Sequence, residues 1–121
     1  MEKDIFCKII DGELDSRVCY EDEVVKCIMD VTPVYPGHNL IIPKKHIETI
    51  LDMDEETLAK IHNAAQMMIK RMEEKLPNIT GVKVVVNYGS EQAIKHYHMH
   101  LIPFYGEKVK ISQDEAYELL K

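Results

Sequence analysis

Lys95-His96-Tyr97-His98-Met99-His100-Leu101-Ile102-Pro103-Phe104 alternates imidazole with apolar side chains at a spacing of two. In a β-strand, residues two apart share a face. The pattern therefore predicts a strand over Lys95–Phe104. His96, His98 and His100 would form a row on one face, about 6–7 Å between neighbours. Tyr97, Met99 and Leu101 would enter a core on the other. A sheet that buries one face and carries imidazoles on the other needs partner strands and a covering helix.

Both are legible outward from this stretch. Gly81–Asn87 contains Val82, Val84, Val85 and Val86, and the turn Asn87-Tyr88-Gly89-Ser90 would return the chain as an antiparallel neighbour. Leu40-Ile41-Ile42, closed by Pro43, reads as a buried strand. Arg17–Tyr20 and Val24–Met29 flank Glu21-Asp22-Glu23 as a hairpin. Pro36-Gly37 suits the centre of a type II turn. Ile5 to Ile10 is a short apolar segment ending at the turn signal Asp11-Gly12.

One long helix is predicted. Asp54 caps it, Glu55 and Glu56 suit its positive end, and Pro77 stops it. Leu58, Ile61, Ala65, Met68, Met72 and Leu76 form a stripe at steps of three and four. The Met residues read as core filler. A short last helix is expected from Ser112, with Glu115 completing a capping box. The fold class is α+β: a mostly antiparallel five-stranded sheet, one long helix and a short C-terminal helix.

The chain has 121 residues and a net charge of −6, with no block of basic residues. That fits a single domain, 1–121, with an ordinary core, and argues against a nucleic-acid surface. No apolar run is long enough to span a membrane. Met1-Glu2-Lys3-Asp4 is charged and no leader core follows, so the expected setting is the cytoplasm. The three cysteines, Cys7, Cys19 and Cys27, read as reduced thiols.

For the histidine row, alternatives stay open at this level. The rings could be satisfied structural residues. They could hold a metal, with water as a further ligand, in a metal-dependent hydrolase. His96 and His100 lie about 13 Å apart along an extended strand, which opposes binding one ion with all three. One imidazole could instead attack phosphorus as a nucleophile, the others donating to phosphate oxygens and moving protons. Near-neutral imidazole titration suits that chemistry.

Three stretches carry a family resemblance. Gln92-Ala93-Ile94-Lys95-His96-Tyr97-His98-Met99-His100-Leu101-Ile102-Pro103 resembles the signature of the histidine triad (HIT) family of nucleotide hydrolases and transferases. Pro36-Gly37-His38-Asn39-Leu40-Ile41-Ile42-Pro43-Lys44-Lys45-His46-Ile47 resembles that family's second landmark. Ile5-Phe6-Cys7-Lys8-Ile9-Ile10-Asp11-Gly12-Glu13 resembles its N-terminus. The landmarks keep the family order from about residue 4 to 104, and the lack of tryptophan resembles a bacterial Hint-like member.

The resemblance implies a homodimer with its sheets joined across the interface, and a purine nucleotide substrate. It implies that His98 becomes nucleotidylated, that His100 bonds the phosphate, and that His96 orients the site near His46. Asp30 would hold the ribose. Phe6, Ile9, Ile28 and Val31 would surround the base. Asn87 and Gln92 would lie near the phosphate and leaving group. No cofactor is implied for catalysis. Relatives often bind structural zinc through Cys-x-x-Cys and two histidines; here the corresponding set is Asp4, Cys7, His46 and His96, but with only one of the two cysteines present Cys7 reads first as a buried thiol. The chain departs from the family at Glu91, where glycine is common, and at Ala93, where a hydroxyl is common. Its Asn87–His96 stretch is also about two residues short. A nucleotide-binding module with little turnover is therefore a further alternative to the hydrolase.

Overall fold

The computed structural model describes residues 3–106 and 109–121, so Met1 and Glu2 of the charged N-terminus lie outside the described residues. The elements are α1 (Ile5–Ile10), β1 (Val18–Glu21), β2 (Val25–Met29), β3 (Asn39–Pro43), α2 (Glu55–Lys75), β4 (Gly81–Val85), β5 (Met99–Phe104) and α3 (Gln113–Leu120). The strands form one sheet in the order β1-β2-β3-β5-β4. Every neighbouring pair is antiparallel. The α+β class and the five-stranded sheet are as the sequence predicts.

Two apolar layers follow from the period of two. Val25, Cys27, Met29, Ile41, Tyr97 and Leu101 face α2, meeting Ile61, Ala64, Ala65, Met68 and Met72. Ala116 and Leu120 of α3 join that core. Ile28, Leu40 and Ile42 face the other way and pack on Phe6 and Ile9 of α1. The segment Ile5–Ile10, which the sequence marks only as apolar, is thus a helix, capped by Asp4 Oδ1 accepting from the Cys7 N–H at 2.7 Å.

The long helix begins and ends where expected, with Asp54 accepting from the Thr57 N–H. Its stripe differs at one place: Leu58 is 43% exposed, and Ala64 takes part in the core instead. Thr57, in the same turn, is buried, so the buried face runs through Thr57, Ile61, Ala64 and Met68 and leaves Leu58 at its edge.

The histidine strand is shorter than predicted. It starts at Met99, whose partner is Ile41, so His96, Tyr97 and His98 lie outside the ladder. Further along β3 comes Pro43, which has no amide hydrogen to extend the pairing. Tyr97 N–H instead donates to Ile47 O at 2.6 Å. Alternation survives without the ladder: Tyr97 is buried in the α2 core, while His96 and His98 meet Phe6. The strand expected over Gly81–Asn87 likewise ends at Val85.

Gly37 shows why Pro-Gly stands before β3. Its φ is 96°, and a Cβ there would lie 2.8 Å from Leu76 Cδ1. At the other end of the chain, Ser112 and Glu115 form the expected capping box.

Met68 and Met72 are fully buried in this packing. Truncating either to alanine is expected to cost about 2–5 kcal/mol in urea unfolding. Gln66→Ala, on the exposed face of the same helix, is expected to change stability by less than about 0.5 kcal/mol.

Candidate active site

A cleft of about 360 Å³ opens between α1, the sheet and the loops 30–32 and 87–94. Phe6, Ile9, Ile28, Asp30, Val31, Asn87, His98 and His100 all line it, as do Leu40, Ala93 and Ile94. Eight of the residues singled out from the sequence are thus brought to one place. Val31 stands on the rim, 90% exposed. Two do not line the cleft. His96 is fully buried behind it. Gln92 is buried with Nε2 donating to Glu48 O at 2.7 Å, and its Oε1 has no partner among the described residues.

Backbone partners that can act in only one way place the protons of His98 and His38, and His38 in turn places that of His100. A carbonyl can only accept, so His98 Nδ1 donates to His96 O at 2.8 Å. In the neutral ring the lone pair is then on Nε2. A backbone amide can only donate, so His38 Nδ1 accepts from Val34 N–H at 3.0 Å. His38 Nε2 therefore carries the proton, and it faces His100 Nδ1 at 2.9 Å and Asp30 Oδ2 at 3.3 Å. With Nδ1 accepting, His100 holds its proton on Nε2. His38, which the sequence reading leaves without a role, thus completes the site. It was visible in Pro36-Gly37-His38, but only as part of a landmark.

The rings of His98 and His100 lie 5.0 Å apart, centre to centre. Burial disfavours their charged forms. It lowers His98, helped by the neighbouring His96, and it lowers His38 against the opposing charge of Asp30. His100 is pushed down to about 4 by burial and by the charges of His98 and His38. The cleft therefore holds neutral imidazoles near pH 7, one presenting a lone pair and one an N–H.

His96 belongs to a second cluster. Its Nε2 donates to Pro43 O at 2.8 Å, so the Nδ1 lone pair faces away from that carbonyl. There it meets Asp4 Oδ2 at 3.2 Å and Cys7 Sγ at 3.6 Å. His46 Nδ1 lies 3.1 Å from the same carboxylate oxygen and 3.3 Å from the same sulfur. All four donor atoms fall within 4.8 Å of one another. Bonds of about 2.0–2.3 Å at tetrahedral angles would place ligand atoms about 3.3–3.6 Å apart. This donor set fits zinc. Asp4 is held below the usual carboxylate range: burial raises it, but the Cys7 N–H bonded to it lowers it. Burial raises the Cys7 thiol, whose proton a metal would displace.

The three histidines of the row do not converge on one ion. His96 falls in the Asp4 cluster, His100 with Asp30 and His38, and His98 in neither, among the described residues.

An antiparallel α+β sheet whose cleft is lined by imidazoles with assigned tautomers defines a class of small histidine-site proteins. The chain belongs to the histidine triad family: the HIT domain model matches residues 11–107. It is 38% identical over 108 residues to the protein Hit of Bacillus subtilis, covering 88% of this chain and 74% of that one. An adenylylsulfatase of Arabidopsis thaliana is 38% identical over 104 residues, 82% of this chain and 51% of the plant protein. A zinc-bound histidine triad family protein of Mycobacterium smegmatis has a similar crystal structure, with a TM-score of 0.86 at 30% identity, covering 96% of this chain and 88% of that one.

The depressed histidines set a pH dependence. His100 binds its proton near pH 4 when folded and near 6.5 when unfolded, so between these values the unfolded chain holds more protons. This contribution to stability is fully present above about pH 6.5 and is lost as the pH falls towards 4. Thermal melts across that window should show a falling midpoint, with a shallower slope in His100→Asn.

Proposed function

We propose that this protein is a nucleotide hydrolase that acts through His98, its chain working as a single domain, 1–121. The observation that carries the reading is the bond from His98 Nδ1 to His96 O, which leaves the opposite nitrogen of a buried, neutral ring as a nucleophile beside an apolar cleft. The substrate class is a purine nucleoside monophosphate joined to an amine, an acyl group or a further phosphate.

In the first step His98 Nε2 forms a bond to phosphorus and the bond to the leaving group breaks. The leaving group takes that electron pair and a proton from solvent, since Ala93 offers no hydroxyl in the cleft. His100 Nε2–H donates to a non-bridging oxygen as charge builds there. Water then attacks phosphorus, the bond to Nε2 breaks with its electron pair returning to His98, and the proton of the water leaves to solvent. Asp30 faces the ribose, and Phe6, Ile9, Ile28 and Val31 enclose the base. Asn87 serves the phosphate side. Gln92 acts from behind, holding the loop at Glu48 O. His96 acts by position, through its carbonyl.

We assign Asp4, Cys7, His46 and His96 as a structural zinc site. The ion would tie α1, and with it Phe6 and Ile9, to the segment that precedes His98; catalysis needs no metal. The working form is a homodimer. Its support is the open edge of β4, where Val84 is 49% exposed, together with exposed Leu58 on α2. No helix of the described residues is long and apolar enough to cross a membrane. The cytoplasm suits its three free cysteines.

Incubation with adenosine 5′-phosphoramidate should release AMP and show a nucleotidyl adduct by intact mass. His98→Ala should lose the adduct and at least about 10³-fold of turnover. Turnover unchanged in that variant would overturn the reading, and tight nucleotide binding without hydrolysis would favour a binding module.

Metal analysis of the same preparation should find stoichiometric zinc. Asp4→Asn keeps an oxygen to cap α1 but loses the carboxylate, so it should lower zinc occupancy and the gain in melting temperature on adding zinc. Equal occupancy in both proteins would remove Asp4 from the site.

A further inference from the structure

The capping box of Ser112 and Glu115 sets the start of α3, and Gln113 is the first residue inside it. The side chain of Gln113 points at the loop that carries Asp30 and His38. Its Oε1 accepts from Gly37 N–H at 2.6 Å. Its Nε2 donates to both Asp30 O and His38 O, each at 3.0 Å. These carbonyls stand at the two ends of the loop, which is itself closed by Asp30 N–H donating to His38 O at 3.0 Å. One amide therefore gathers three backbone groups, from Asp30, Gly37 and His38.

Docking of α3 makes this contact firm. Ala116 and Leu120 are fully buried, and Arg71 donates to Leu120 O at 2.7 Å. The loop has further anchors, Tyr105 donating to Pro36 O and Asn39 to Gly37 O. Neither reaches the carbonyls of Asp30 or His38. Gln113 also lies beyond residues 11–107, the part matched by the family model.

We propose that Gln113 is a positioning residue for the reaction: it holds the backbones of Asp30 and His38 so that His38 Nε2 meets His100 Nδ1 and keeps the His100 proton on Nε2. The activity arm of this inference rests on the proposed hydrolase; the geometric arm does not. The path runs from the Gln113 amide to the His38 backbone, through the His38 ring at 2.9 Å to His100, and from there to the cleft. Asp30 is set by the same clamp. Its Oδ1 is engaged by Thr32 N–H and Oγ1, which leaves Oδ2 facing His38.

The test pairs steady-state kinetics on adenosine 5′-phosphoramidate with ¹⁵N NMR of the histidine tautomers, in wild type, Gln113→Ala and Gln113→Glu. The glutamate keeps an acceptor for Gly37 N–H but turns a carboxylate towards two carbonyls. Asp22→Ala, which loosens the remote β1–β2 hairpin, controls for lost stability. Both Gln113 variants should lose on the order of 10- to 100-fold in kcat/KM, the scale of a small misplacement in a site. Their His100 signals should shift from a pure Nε2–H form to a tautomer mixture, while Asp22→Ala keeps both values. Wild-type kcat/KM and tautomers in Gln113→Ala, or an equal loss in Asp22→Ala, would overturn the proposal. If the wild type itself turns over no nucleotide, the hydrolase reading fails separately, and unchanged His38 and His100 signals in the variants would still overturn the role of Gln113.

Discussion

A neutral imidazole has one N–H and one lone pair, so committing one nitrogen to the backbone decides what the other can do. That constraint organises this molecule. His98 Nδ1–H donates to His96 O, His96 Nε2–H donates to Pro43 O, and Val34 N–H donates to His38 Nδ1. Three rings are thereby polarised in different senses by groups whose hydrogen-bond roles cannot reverse. The cleft receives the lone pair of His98 and, by way of His38, the N–H of His100, and the buried cluster receives the lone pair of His96.

The backbone that makes these bonds is irregular for a reason. A strand continued back to Lys95 would spend the carbonyl and amide groups of residues 96–98 on a neighbouring strand. By leaving the ladder before Met99, the chain keeps the His96 carbonyl for a side chain and sends the Tyr97 amide to Ile47. Tyr97 and Leu101 stay anchored in the α2 core, so the departure from regular pairing does not loosen the segment.

Asp4 joins the two ends of this arrangement. One carboxylate oxygen caps α1, and the other faces His46 and His96. The short helix that supplies Phe6 and Ile9 to the cleft is thus fastened to the segment that precedes His98. On the opposite side, the α3 side chain of Gln113 fastens the loop of Asp30 and His38. Both fastenings join residues remote in sequence: Asp4 and His96 are 92 positions apart, and Gln113 and Asp30 are 83.

Much of this was legible in the sequence. Alternation placed the imidazoles and the core residues on opposite faces, because side-chain direction in extended chain depends only on parity. The caps at Asp54 and Ser112 and the Gly37 turn are local and read equally well. The short α1 was not, since its six residues have too few turns to show a helical period. The place where the strand begins was not legible either: it depends on Pro43, more than fifty residues away, arriving opposite Tyr97. His38 and Gln113 carried no signal of their own, for a histidine after Pro-Gly or a glutamine at a helix start is ordinary. The sequence by itself determined which side chains could meet on one face. Only the tertiary structure decided which nitrogen of each ring carries the proton, because that depends on carbonyl and amide groups brought to the rings by folding.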